Sequence, residues 1–235
     1  MKNITTYAVA VASIAIFNPT AKAEENNLPI TAEEQKALTP DEVLTDLMEG
    51  NKRFVAGEIA EPNIKERVKA ASTGQFPQAV ILSCLDSRVP VEDIFDQGLG
   101  DIFVGRVAGN VENVDQLGSM EFATAAAGVK LVMVLGHEAC GAVKGACDHV
   151  ELGNLTELLE KIKPAMEAVE GYEEDERNSK NAEFVADVVE ANVKQTVADI
   201  RERSKVLADL EKEGKIKIVG TLYSLQDGSV SLLEE

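Results

Sequence analysis

The sequence predicts an α/β fold: a mostly parallel β-sheet flanked by helices, with an N-terminal helical arm. Three observations predict it. Short aliphatic runs alternate with segments of helical periodicity, the pattern of parallel strands joined by crossover helices. Apolar residues make up 45% of the 235 residues, enough for a substantial core. Two of the candidate strands run directly into polar clusters that contain cysteine or histidine, and in such folds sites gather at the carboxyl ends of strands.

The elements follow in order. Thr39-Pro40-Asp41-Glu42 is a helix start. Thr39 can cap, Pro40 suits the first helical position, and Glu42 completes a capping box. Val43, Leu44, Leu47 and Met48 then recur at helical spacing, with Gly50 and Gly57 as punctuation. Ala79 to Leu82 reads as a buried strand and Asp101 to Val104 as a second. Ser119 to Ala127 reads as a helix ended by Gly128, and Lys130 to Leu135 as a third strand. Leu155 to Val169 is helical. Ala182 to Leu210 carries Val185, Val188, Val189, Val193, Val197, Ile200 and Leu207 along one stripe, the mark of a long amphipathic helix. Lys217 to Leu222 is the last full strand, and Ser229 to Leu233 can pair with it through a turn at Asp227-Gly228. Trp is absent and aromatics are 4%, so aliphatic packing must dominate.

Residues 1–23 read as a secretory signal. Lys2 supplies a weak positive start, Tyr7 to Phe17 is an uncharged and mostly apolar run, and Ala21-Lys22-Ala23 is a cleavage signature. The run is too short to span a bilayer. Cleavage after Ala23 is expected, leaving one domain over 24–235 in a periplasm or outside the cell. Loss of Lys2 and Lys22, with no acid lost, takes the net charge from −18 to −20. So acidic a chain does not favour nucleic acid or anionic membranes. No membrane association is expected after cleavage.

Cys84, His137 and Cys140 form a possible ligand set. The three-residue step from His137 to Cys140 lets both face one ion, and Cys84 would come from a neighbouring strand end. Zinc favours thiolate and imidazole. A structural site takes four such ligands, and a catalytic one keeps a position for water. Cys147 lies seven residues beyond Cys140, about 10 Å of helical rise, too far for the same ion unless the chain folds back. It reads as a small buried hydrophobe. His149 reads as an ordinary polar histidine and a weak candidate for proton transfer. Asp86 and Arg88 alternate with Cys84. An arginine fork can hold a carboxylate in a fixed orientation, and a carboxylate beside a zinc-bound water can accept its hydrogen bond.

C-x-D-x-R at Cys84 to Arg88, followed by H-x-x-C at His137 to Cys140, resembles the signature of β-class carbonic anhydrases. The surrounding text is similar: Gly50 to Phe54, Ser83 to Val89, Gly100 to Val104, Gly109-Asn110, Gly136 to Val143, and Val219 to Tyr223. The resemblance runs from about Leu44 to about Leu233. It implies a lyase that interconverts carbon dioxide and bicarbonate by attack of zinc-bound hydroxide, with one Zn2+ per chain on Cys84, His137 and Cys140. It implies Asp86 and Arg88 as the catalytic dyad. It implies Gln75 as a hydrogen-bond partner of substrate or product, and Phe103, Ala108 and Phe122 as pocket walls, with Phe122 contributed across a subunit boundary. A homodimer or tetramer is implied.

Two positions depart from the family pattern. Val107 stands where asparagine commonly follows the arginine equivalent to Arg106. Ile81 stands where some members carry a tryptophan that helps to bind regulatory bicarbonate. That departure leads us to expect Asp86 to stay on Arg88 rather than turn onto the metal. Rival readings are an enzyme on the same scaffold acting on an analogue such as carbon disulfide, a non-catalytic binding module, and a redox protein using Cys84 and Cys140. The last lacks C-x-x-C and leaves His137 unexplained.

Overall fold

The computed structural model describes residues 28–60 and 63–234. The signal predicted over 1–23 lies outside these residues. Among them, no helix is long and apolar enough to cross a membrane.

Five strands make one sheet: β1 (Ala79–Ser83), β2 (Ile102–Arg106), β3 (Leu131–His137), β4 (Lys217–Tyr223) and β5 (Val230–Leu232), in the spatial order β2-β1-β3-β4-β5. The first four are mutually parallel and β5 is antiparallel to β4. β1 and β3 are wholly buried, so their apolar runs are continuous rather than alternating. Alternate side chains serve opposite faces. Ala79, Ile81, Leu131, Met133 and Leu135 join one core with Val43, Leu47, Ile94 and Phe95. Val80, Leu82, Val132 and Val134 join the other with Leu117, Met120, Val193, Val197 and Ile200.

The N-terminal helices are α1 (Ala32–Ala37), α2 (Pro40–Ala56) and α3 (Ile64–Ala71). Thr39 caps α2 through the reciprocal bonds with Glu42, as its sequence requires. Gly57 ends this helix in the left-handed region, at φ 73°. Gly50 does not punctuate it. Gly50 is buried mid-helix, where a Cβ would lie 1.9 Å from the Phe95 carbonyl oxygen, so it marks a close approach to α4 (Val91–Ile94) and its end.

Three predicted helices differ in extent. The helix expected over Ser119 to Ala127 begins earlier, as α5 (Val114–Glu121), because Asn113 accepts from the Asp115 and Gln116 N–H groups. It continues as a π-turn over Phe122–Ala126. Leu155 to Val169 divides into α7 (Asn154–Glu160) and α8 (Lys163–Ala168), with Pro164 in the first turn of the second, where its missing N–H costs nothing. Ala182 to Leu210 is also two helices, α9 (Ala182–Arg203) and α10 (Lys205–Lys212). Ser204 breaks the run in an extended conformation. Its hydroxyl accepts from Leu207 N–H and donates to Glu121 Oε1 at 2.6 Å. The apolar stripe passes through the break unchanged, so periodicity alone could not reveal it. Between β3 and α7 lies α6 (Gly141–Cys147), a short helix whose rise separates Cys147 from Cys140.

Candidate metal centre and active site

Ser83 pairs with Leu135 in the parallel register, so β1 and β3 deliver their next residues to the same edge of the sheet. Cys84 follows β1 directly. His137 is the last residue of β3, two residues beyond the predicted end of that strand. The chain then turns through Ala139, at φ 51°, and Cys140 opens α6. The ligand atoms of Cys84, His137 and Cys140 all lie within 4.8 Å of one another, and all three residues are buried.

The donor geometry fits zinc. The two sulfurs are 3.8 Å apart. A disulfide requires about 2.05 Å, whereas two thiolates on a tetrahedral zinc, each at about 2.3 Å, are separated by about 3.8 Å. His137 Nδ1 lies 2.8 Å from the Glu138 carbonyl oxygen. A carbonyl only accepts, so Nδ1 carries the proton and Nε2 is left bare, the tautomer a metal needs. His137 Nε2 is buried with no hydrogen-bond partner. A buried polar atom of this kind calls for an unseen partner, and a cation between it and the sulfurs supplies one. The two sulfurs share one hydrogen bond, which either can donate. A hydrogen bond from Cys140 draws the Cys84 thiol below its usual range, with His137 and the Gly109 N–H adding to the effect against burial. The same shared bond, with burial, pushes Cys140 up.

Asp86 and Arg88 stand beside this centre as the sequence pattern implied. Arg88 Nε donates to Asp86 Oδ1 at 2.9 Å and Nη2 donates to Oδ2 at 2.7 Å. The Arg88 backbone N–H adds a third bond to Oδ1. These bonds, the side-chain pair first, hold the Asp86 carboxyl well below the usual carboxylate range. Asp86 Oδ2 sits 3.8 Å from His137 Nε2, too long for a hydrogen bond but close enough to face the same small volume. Arg106 ties the turn down: its Nε donates to the Cys84 carbonyl at 3.0 Å and its Nη2 to the Asp86 carbonyl at 2.6 Å.

The pocket residues divide into two groups. Ala108 precedes Gly109, whose N–H meets Cys84 Sγ at 3.3 Å, so it borders the centre. Phe103 and Phe122 approach each other, with ring centroids 6.4 Å apart, and line a cleft of ≈ 770 Å³ beside edge strand β2. Leu82 and Arg106 line it too, so it adjoins the turn that carries Cys84. Gln75 is not brought to the cysteines within one chain. It is exposed and precedes the amino end of β1, whereas Cys84 leaves the carboxyl end. Cys147 is buried on α6 among apolar neighbours, outside the ligand cluster. His149 is exposed beyond α6.

A parallel sheet that presents a buried Cys/His/Cys cluster at its carboxyl edge, flanked by an ion-paired aspartate, defines an α/β zinc enzyme. The family model described as carbonic anhydrase matches residues 79–230. The chain is 38% identical over 192 residues to carbonic anhydrase 2 of Mycobacterium tuberculosis, covering 79% of this chain and 89% of that protein. It is 41% identical over 194 residues to a carbonic anhydrase of Mycolicibacterium smegmatis, with the same coverage. Its fold is similar to the crystal structure of the β-carbonic anhydrase CafA of Aspergillus fumigatus, with a TM-score of 0.64 at 23% identity, over 82% of this chain and 91% of that one. The chain belongs to the carbonic anhydrase family, in its β class, and is a zinc-dependent lyase acting in the hydration of carbon dioxide.

Proposed function

We propose that Cys84, His137 and Cys140 hold one zinc ion and that Asp86, fixed by Arg88, directs reversible hydration of carbon dioxide to bicarbonate. One observation carries this assignment. The bare, buried Nε2 of His137 faces two sulfurs set 3.8 Å apart, with the oriented Asp86 carboxylate beside them.

When bound, zinc lowers the pKa of a water in its open position and so supplies hydroxide near neutral pH, as it does in the three-histidine carbonic anhydrases. The remaining work falls to the chain. Asp86, ionised and acceptor-only, takes the hydrogen bond of the attacking water and turns its lone pair towards the substrate. Arg88 keeps that carboxylate ionised and turned outward. Phe103, Phe122 and Ala108 give apolar walls suited to an apolar substrate. Gln75 stands away from them in its own chain, so its hydrogen bond to substrate or product comes from a neighbouring copy. A homodimer, alone or paired into tetramers, is therefore the working unit. The exposed Phe122, in the π-turn beside edge strand β2, supports the same reading. The charge, apolar run and cleavage pattern of residues 1–23 support export to the periplasm or beyond, with cleavage after Ala23.

Elemental analysis with stopped-flow carbon dioxide hydration tests the assignment. The wild-type chain is expected to carry one zinc, and the Cys140→Ser variant to lose most of both metal and activity. Full zinc occupancy in that variant would refute the ligand set. A fully active monomer in sedimentation at micromolar concentration would refute the oligomer.

A further inference from the structure

We propose that Asn192, on the long helix α9, is a positioning residue for the metal centre, acting through Gly109 on the sulfur of Cys84.

Asn192 is 2% exposed. Its neighbours along the buried stripe are Val188, Val189 and Val193, so the position is one where leucine would pack well. A buried amide in such a stripe costs stability unless it is paired. Its partner is specific: Nδ2 donates to the Gly109 carbonyl at 2.8 Å, across 83 residues of sequence. The Gly109 N–H in turn donates to Cys84 Sγ at 3.3 Å. One residue thus receives the helix's amide on its carbonyl and passes a hydrogen bond to the sulfur from its N–H.

The turn needs an outside anchor. Gly109 sits at φ 72°, and Asn110 after it is also left-handed, at φ 46°. A Cβ on Gly109 would lie 2.8 Å from Ile162 Cδ1 and 3.2 Å from Ala142 Cβ, so both the backbone angle and the space demand glycine. Two successive left-handed residues persist only where their surroundings hold them. Asn192 is the buried side chain that holds this pair from the helix side.

The helix reaches the turn because the sheet is pared away beneath it. A Cβ on Gly136 would lie 2.3 Å from Val193 Cγ2, and one on Gly220 would lie 2.8 Å from Val193 Cγ1. Two glycines, one of them adjacent to His137, let Val193 sink into the sheet and bring Asn192 within hydrogen-bond range of Gly109.

An N–H directed at a thiolate withdraws charge from it and fixes its direction. A Cys84 sulfur relieved of this bond donates more charge to the metal but is less firmly placed. Outer partners of metal ligands of this kind are worth about 10–100-fold in metal affinity.

This inference rests on zinc being held by Cys84, His137 and Cys140. The test compares the full-length wild-type protein with Asn192→Leu, which keeps the branched shape and number of heavy atoms and removes the donor. Two quantities are read: zinc release to a chelator, and the sulfur-to-metal charge-transfer band after replacement of zinc by Co2+. Asn192→Leu is expected to release zinc about tenfold faster and to move the cobalt band to longer wavelength, because a more electron-rich sulfur gives up charge at lower energy. Ile200→Ala, a control further along the same helix, is expected to lower stability and leave both readouts unchanged. Unchanged release and an unmoved band in Asn192→Leu overturn the inference. So does an equal change in Ile200→Ala, which would make the effect one of helix stability alone. Should Asn192→Leu fail to fold, Asn192→Ala carries the same two expectations. A wild-type chain with no thiolate–cobalt band overturns the ligand assignment itself, and this inference with it.

Discussion

Arg88 closes on Asp86 as a two-pronged clamp, 2.9 Å and 2.7 Å long, and the clamped carboxylate lies 3.8 Å from the bare nitrogen of His137. The clamp and its carboxylate act as one unit. Asp86→Ala and Arg88→Ala are each expected to lower kcat/KM by roughly 100-fold, the order of loss from misplacing a reacting group. The double variant should be little worse than the poorer single one, since residues acting as a unit are non-additive. Fully additive losses in stopped-flow assays would show that the two side chains work separately. Arg88→Lys should not restore the rate, because an ammonium cannot reproduce the fork.

The same clamp sets the pH behaviour. The Asp86 carboxyl is depressed in the folded chain, first by the Arg88 side chain, with burial opposing. A depressed carboxyl contributes stability that is fully present above its unfolded value of about 3.9 and lost progressively as pH falls from there through the lower folded value. Mild acid therefore leaves Asp86 ionised and able to keep its bonds to Arg88, and Ile81 removes the tryptophan that helps to hold regulatory bicarbonate in some relatives. Crystals grown on the two sides of neutrality should show the same Asp86 conformation. Asp86 turned onto the metal in the acidic crystal would contradict this.

The three cysteines should differ in reactivity. Cys147 is pushed up to about 11 by burial, with Asp148 adding to it, and takes no part in the ligand cluster. Thiolates are the reactive form. With zinc bound, a maleimide at neutral pH should label no cysteine. After chelation Cys84 should be labelled first, ahead of Cys140 and Cys147, whose thiols are both pushed up, read by peptide mass spectrometry. Early labelling of Cys147 would show that its pocket opens.

Ser204→Ala should destabilise the chain by about 1–2 kcal/mol, the usual cost of losing an N-cap. Its hydroxyl caps α10 and reaches Glu121 at the start of the π-turn, so two connections go together. Urea unfolding should report the loss while zinc content stays at the wild-type level. A variant that keeps its stability but loses zinc would place Ser204 in the wrong role.

Much of this was legible in the amino-acid order. β1 and β3 read as strands because buried parallel strands are uniformly aliphatic, and Cys84 and His137 stood out because they terminate them. Thr39 to Glu42 announced a helix through short-range bonds that need no tertiary context. What escaped depends on contacts between distant segments. The break at Ser204 hides because the stripe from Ile200 to Leu207 stays in phase across it. Asn192 carried one faint signal, an amide inside a run of valines, but its partner Gly109 is 83 residues away. Gln75 matched a pattern in the sequence, yet β1 separates it from Cys84 in its own chain, a fact that only strand direction reveals.

The parallel pairing of β1 with β3 has a last consequence, for the order of assembly. The spacing between Cys84 and His137 is set by backbone hydrogen bonds of neighbouring strands, a ladder that ends at the Ser83–Leu135 pair. The sheet's own pairing gathers these two ligands, so their placement does not call on the ion. This is the reverse of small zinc modules, which stay unfolded until metal organises them. A polypeptide built this way can complete its sheet first and draw zinc afterwards from whatever supply surrounds it.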